Sequence, residues 1–296
     1  MQVLVTSPRL PAGLLTFAAW EALRTADVIV CPDLDDPTAR AVRAAGFEVA
    51  AAPLPGADAE HTASPGAVWL APTGDVEWAH RLATGLVAGD VDGIDVVFAS
   101  YDPPGARLLD LVDVMDRLRR ECPWTQQQTH NSLTRYLLEE TYEVLEALDD
   151  GADDDLREEL GDLMMQVVFH ARIAQDEPDG WSVDDVAEVI VAKLVNRNPH
   201  VFGDATAADA AEVDANWEAI KATEKQRSSP LDGIARELPA LAYADKVLER
   251  LARSGGGSVP EGDDVGARLL RLVQEARTDG TDPEQALRLA VRRLLG

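Results

Sequence analysis

The chain should fold mainly as α-helix, with a small α/β region at its N-terminus, and three observations carry that expectation. From Ala106 to about Arg227, apolar residues recur at three- and four-residue steps, the period of amphipathic helices. Before residue 105, short β-branched runs alternate with helical spacing and with Pro- and Gly-rich punctuation. Between them in weight is a third feature: two acidic pairs placed symmetrically about a glycine turn, as an antiparallel helix pair would place them.

In the first zone, Gln2–Thr6 and Val28–Cys31 read as strands and Phe17–Thr25 between them as a helix. Phe47–Ala52 and Val96–Ser100 are further strand candidates, and Pro53-Leu54-Pro55-Gly56 and Asp102-Pro103-Pro104-Gly105 are turns. Next, Leu108, Leu109, Val112, Met115 and Leu118 mark a helix that Cys122-Pro123-Trp124 breaks. Thr129 is placed to cap a second helix that runs to Asp149-Asp150-Gly151. Asp153 or Asp154 would cap a third, striped by Leu160, Leu163, Met164, Val167, Val168 and Ala171. Two more helices follow, at about 183–197 and 208–226. Beyond Ser228 comes the linker-like Ser254-Gly255-Gly256-Gly257-Ser258, then a pair of short helices around Thr278–Pro283. This divides the chain into residues 1–105, 106–230 and 231–296.

Composition removes several functions. The 296 residues carry a formal charge of −26, which opposes nucleic-acid binding, because phosphate backbones need a basic footprint. It also opposes an anionic membrane surface. No apolar run approaches the roughly 18 residues of a membrane span. The start, Met1-Gln2-Val3-Leu4-Val5, has no cationic region followed by a long apolar stretch and does not read as a signal peptide. Two cysteines, Cys31 and Cys122, make no disulfide framework and suit a reducing cytoplasm.

Twelve acidic side chains lie between Glu139 and Asp162, against one basic residue, Arg157. Within them, Glu140 and Glu143 stand one turn apart on one helix, and Glu159 and Asp162 one turn apart on the next. Glu143 and Glu159 are each eight residues from Gly151, and Glu140 and Asp162 each eleven. In a hairpin the pairs meet at matching heights, roughly 12 and 16 Å from the turn. Glu140 also fills a step of the apolar stripe Leu133, Leu137, Val144, Leu148, where a bare carboxylate is strongly unfavourable unless paired, protonated or metal-bound. No lysine or arginine stands at a pairing step. An all-oxygen donor set favours Mg²⁺ or Mn²⁺ over Zn²⁺. The plainer reading is a solvated acidic face.

Taken with their surroundings, these residues resemble a known family. Glu139-Glu140-x-x-Glu143 followed by Glu159-x-x-Asp162 is similar to the signature of MazG nucleoside triphosphate pyrophosphohydrolases. So are Cys122-Pro123-Trp124-Thr125, Gln128-Thr129-His130-Asn131-Ser132-Leu133 and Arg197-Asn198-Pro199-His200-Val201-Phe202-Gly203, and Asn216-Trp217-Glu218-x-Ile220-Lys221 completes the match over about residues 106–245. The resemblance implies a MazG-type helical bundle, oligomeric and Mg²⁺-dependent, that cleaves nucleoside triphosphates between the α and β phosphates. It implies Glu140, Glu143, Glu159 and Asp162 as metal ligands, with Glu139 as a candidate to orient or deprotonate water. Lys193, Arg197 and Lys221 would meet phosphates, and Trp217 would stack on the base or pack in the core. Lys225 repeats the step of Lys221 without the same support, and His130, His170, His200 and Trp124 have weaker claims.

The flanks resemble worn relatives. Leu14-Leu15-Thr16 with Glu21-Ala22-Leu23-Arg24-Thr25-Ala26-Asp27-Val28-Ile29 is similar to the opening of tetrapyrrole methylases, but at half length and without the Gly-rich turn after the first strand, so no methyl transfer is expected. Asp264-Val265-Gly266-Ala267 aligns with Glu159-Leu160-Gly161-Asp162 as a second MazG repeat that has lost its ligands. The leading expectation is a cytoplasmic, homo-oligomeric (dimeric) enzyme that clears noncanonical or damaged nucleotides. Its rivals are a narrow dUTP-like pyrophosphatase and a catalytically idle nucleotide-binding scaffold.

Overall fold

A computed structural model describes residues 1–52, 66–75, 95–224, 229, 231–256 and 262–295. The expected turn at 53–56, Lys225, Ser228 and the end of the glycine linker at 257–258 lie outside the described residues. The chain divides into two compact units, Met1–Gln127 and Gln128–Gly296.

The first unit is built on five strands, β1 (Gln2–Val5), β2 (Val28–Cys31), β3 (Ala50–Ala51), β4 (Ala67–Leu70) and β5 (Asp95–Phe98). All are parallel, in the order β3-β2-β4-β1-β5. Successive side chains of a strand point to opposite faces, and the core divides accordingly. Leu4, Ile29, Cys31, Val68 and Leu70 pack on one face with α1 (Phe17–Thr25) and α2 (Pro37–Ala44), while Val3, Val5, Val30 and Trp69 fill the other. The sequence does not announce β4, because Ala67-Val68-Trp69-Leu70 is buried throughout and so shows no alternation. The strand expected over Phe47–Ala52 shortens to two residues. Gly46, at φ 95°, turns the chain back so that the Phe47 N–H bonds the Val42 carbonyl and its ring stacks on Trp20. Helices α3 (Arg107–Glu121) and α4 (Pro123–Gln126) end the unit, broken where Pro123 is expected to break them.

The second unit is helical: α5 (His130–Asp150), α6 (Asp153–Ala174), α7 (Val183–Arg197), α8 (Pro199–Phe202), α9 (Ala210–Glu224), α10 (Ala240–Arg253), α11 (Val265–Thr278) and α12 (Pro283–Leu295). A capping box starts α5: the Thr129 side chain accepts the Ser132 N–H, and the Ser132 side chain accepts the Thr129 N–H. Gly151, at φ 66°, ends it in the left-handed conformation. Only Gly151 and Ala152 separate α5 from α6, and Ala152 occupies the cap position of α6, with no side-chain cap bond. The expected aspartate caps, Asp153 and Asp154, fall instead in the first turn with Asp155, where negative charge favours the helix dipole. Among the described residues no helix is long and apolar enough to cross a membrane, and both cysteines are free.

The apolar stripes differ from expectation in a way that bears on function. On α5, Leu133 is buried, but the burial shifts from Leu148, 55% exposed, to Ala147. Four-residue steps exceed the 3.6-residue turn, so a stripe drawn at that step precesses around the helix. On α6, Val168 and Ala171 are buried with Gln166, Phe169, Ile173 and Ala174, whereas Leu160, Met164 and Val167 are 46%, 43% and 43% exposed. The expected single stripe is therefore two: one packed within the chain and one open.

Candidate metal centre

Helices α5 and α6 pack together more extensively than any other pair of described elements. Their antiparallel register brings Glu140, Glu159 and Asp162 together, with one carboxylate oxygen of each within 4.8 Å of the others. Glu143 lies near enough to raise the carboxyl groups of both Glu140 and Glu159, but stands outside this three-residue cluster. Three of the four carboxylates that the spacing pairs across the hairpin thus meet in one volume, with Glu143 nearby. Glu139 is exposed on the same helix and lies outside the three-residue cluster.

The electrostatics are those of an anion cluster short of cations. Burial, then the charges of Asp162 and Glu143, hold the Glu140 carboxyl above the usual carboxylate range. Burial does the same to Glu159, helped by Glu143 and Asp162. Like charges this close resist simultaneous ionisation unless a counter-charge arrives. An all-carboxylate set of this kind could hold a divalent cation, and a hard one above all. The half-buried state of Glu140, Glu159 and Asp162 argues against a merely solvated face.

One residue of this site escapes a reading for acids and bases. Gln166, 2% exposed, follows Asp162 by one turn of α6, and its Nε2 donates to Glu140 Oε1 at 3.5 Å. The available signal was a polar residue on the buried side of an otherwise apolar helix turn. One further turn on is His170, whose Nδ1 lies 2.8 Å from Nδ1 of His130. The two rings are nearly parallel, at 2° with centroids 5.1 Å apart, and Trp181 extends the stack. Burial, then the neighbouring His130, lowers the pKa of His170. This pair joins the start of α5 to the end of α6, at the far end of the hairpin from Gly151.

The cations expected to meet phosphate are placed unequally. Arg197 is buried, with its guanidinium 5.3 Å from the Trp217 ring and two nitrogens on Glu224 Oε2, at 3.1 and 2.6 Å. Arg197 and Trp217 are therefore brought together across α7 and α9, and Glu224, which the sequence did not single out, fixes them. Lys221 pairs with Glu218 at 2.8 Å. Lys193 is exposed on α7. His200 is half-buried on α8, and Trp124 is half-exposed on α4.

Known proteins share this stretch. The MazG nucleotide pyrophosphohydrolase domain matches residues 128–202, which contain every carboxylate of the cluster. An uncharacterized 26.1 kDa protein of Streptomyces cacaoi is 50% identical over 214 residues, 71% of this chain and 88% of that protein. The nucleoside triphosphate pyrophosphohydrolase/pyrophosphatase MazG of Thermotoga maritima is 37% identical over 63% of this chain and 82% of its own length. The nucleoside triphosphate pyrophosphohydrolase of Mycolicibacterium smegmatis is 45% identical over 70% of this chain, but that match spans only 61% of the relative. With the domain match centred on the carboxylate hairpin and a named MazG protein aligned over most of its length, this chain belongs to the MazG nucleotide pyrophosphohydrolase family.

Proposed function

We propose that this chain hydrolyses nucleoside triphosphates between the α and β phosphates, releasing nucleoside monophosphate and pyrophosphate. The observation that carries the reading is the meeting of Glu140, Glu159 and Asp162 within 4.8 Å, with Glu143 nearby. These four carboxylates would hold Mg²⁺, with Mn²⁺ as a substitute. When bound, such a cation neutralises triphosphate charge and makes a coordinated water a stronger nucleophile at neutral pH. Glu139, exposed beside the cluster, would take the proton of the attacking water.

The remaining residues do the binding. A substrate with several negative charges meets a chain of formal charge −26, so the placed cations matter. Arg197 and Lys221 are balanced by Glu224 and Glu218, which leaves exposed Lys193 as the cation most available to the leaving pyrophosphate. The Arg197–Trp217 pair offers a face on which a base can stack without its identity being read. Broad use of (d)NTPs fits such a face, and a role in clearing noncanonical or damaged ones is what the family resemblance suggests.

We assign catalysis to residues 106–230 and none to the flanks. Support at the N-terminus comes from the segment after β1, where Arg9 is tied to Asp102 and Asp110. At the C-terminus, Asp264, the counterpart of Glu159, is used as the N-cap of α11 and accepts the Ala267 N–H at 3.0 Å. The exposed Leu160–Met164–Val167 stripe supports a homodimer, since a partner would cover it.

Chromatography of products from an NTP panel with Mg²⁺ tests the whole reading. Monophosphate and pyrophosphate are expected from all eight common (d)NTPs, with rates within about an order of magnitude. Activity confined to dUTP would establish the narrow alternative. Glu140→Gln and Asp162→Asn should each lower kcat by roughly 100-fold or more, as expected when a metal ligand is lost. Unchanged turnover in both variants would overturn the assignment of catalysis to these carboxylates, and no product from any NTP would leave the idle scaffold.

A further inference from the structure

Gln166 is an uneconomical residue where it stands. Its neighbours on α6, Val168 and Phe169, are buried and apolar. An apolar side chain of its size would fill the site without desolvating an amide. Its Nε2 is satisfied by Glu140 Oε1, but its Oε1 is buried with no hydrogen-bond partner. Buried polar atoms are nearly always paired, so such an orphan asks for an explanation in terms of something that binds there.

The position supplies one. Gln166 lies four residues from Asp162 and seven from Glu159, on the ligand face of α6. Across the hairpin it bonds Glu140, one of the three carboxylates that converge there. Without a fixed donor, Glu140 would rotate away from Asp162 and Glu143 to relieve repulsion. An N–H on one of its oxygens holds the group in place and leaves the other oxygen for a cation. Mg²⁺ keeps several of its waters when bound by carboxylates, and a water can donate to an amide oxygen.

We propose that Gln166 is a positioning residue of the metal centre. Its Nε2–H holds Glu140 in the orientation that completes the cluster, and its buried Oε1 accepts a hydrogen bond from water brought in with the cation. The proposal rests on the reading of the carboxylates as cation ligands. Partners of this kind, which orient the ligands rather than bind the ion, are typically worth 10- to 100-fold in metal affinity.

The test is Mn²⁺ titration of the metal-free full-length chain, with free Mn²⁺ followed by electron paramagnetic resonance, for wild type, Gln166→Met and Gln166→Leu. The melting temperature of each metal-free protein is measured alongside. A Mn²⁺ affinity about 10- to 100-fold weaker in both variants, with metal-free melting unchanged or raised, is the expected result, because an apolar side chain removes the buried unpaired amide oxygen and so offsets the lost hydrogen bond to Glu140. Affinities within twofold of wild type, whatever the melting temperatures, would show that Gln166 is packing and overturn the proposal. Wild-type protein that binds no Mn²⁺ would overturn the metal reading itself, and this one with it.

Discussion

Asp149 shows how much one side chain can connect. It lies in the last turn of α5, its carboxylate is only 2% exposed, and it is held by Arg288 at 2.9 Å and Gln285 at 3.1 Å from α12. The hydrogen bond from Arg288, then that from Gln285, holds its carboxyl below the usual carboxylate range. A group depressed in this way contributes stability above its unfolded pKa and loses it as pH falls through the folded one. Asp149→Asn should therefore lower stability at pH 7 by about 2 kcal/mol, the worth of a hydrogen bond to a charged group. The deficit should shrink as pH drops below about 4, the unfolded carboxylate value. Parallel thermal melts of both proteins from pH 7 to pH 3 measure it, and a deficit constant with pH would contradict the assignment. Among the acids between Glu139 and Asp162, Asp149 has no local sign of a partner in the sequence. Its cations come from residues 288 and 292, far beyond any local pattern, so no spacing rule could have revealed them.

At the scale of elements, the α5–α6 hairpin decides the site. Its register depends on the single-residue connection after Gly151, and Gly151 sits at φ 66° with open space where a Cβ would go. Any cost of a side chain there is conformational rather than steric crowding. Gly151→Ala should lose about 1 kcal/mol, the left-handed penalty of an L-residue, in denaturant unfolding, while kcat stays near wild type because the hairpin still closes. A large fall in kcat without loss of stability would mean that the turn tunes the carboxylates directly. This element was legible in sequence: caps, glycine turn and equal offsets of eight and eleven residues all agree. The α6 cap was not, because the helix starts one residue earlier than the aspartates suggest and its cap position falls on Ala152.

Across the whole molecule, the open stripe on α6 is the feature a sequence pattern blurred. Leu160, Met164 and Val167 share a face with one another, apart from buried Val168 and Ala171. If a second copy covers them, Met164→Lys should shift the protein from dimer to monomer in light scattering coupled to size exclusion, with at least a tenfold weaker association. A substitution that leaves the dimer intact would move the interface elsewhere. Other exposed apolar residues, such as Val189 and Val191 on α7 and Leu287 and Val291 on α12, would then be the surfaces to test.

The sequence by itself determined the helical class, the carboxylate hairpin, and the family to which those residues point, because each is a matter of residue type and short-range spacing. The tertiary structure decided which face of α6 is buried, that Arg197 lies on Trp217 under the grip of Glu224, and that Gln166 reaches Glu140 with one amide oxygen left unpaired. Those outcomes depend on contacts between side chains on different helices. A helix period can nominate a face, but only the neighbour packed against it settles what that face touches.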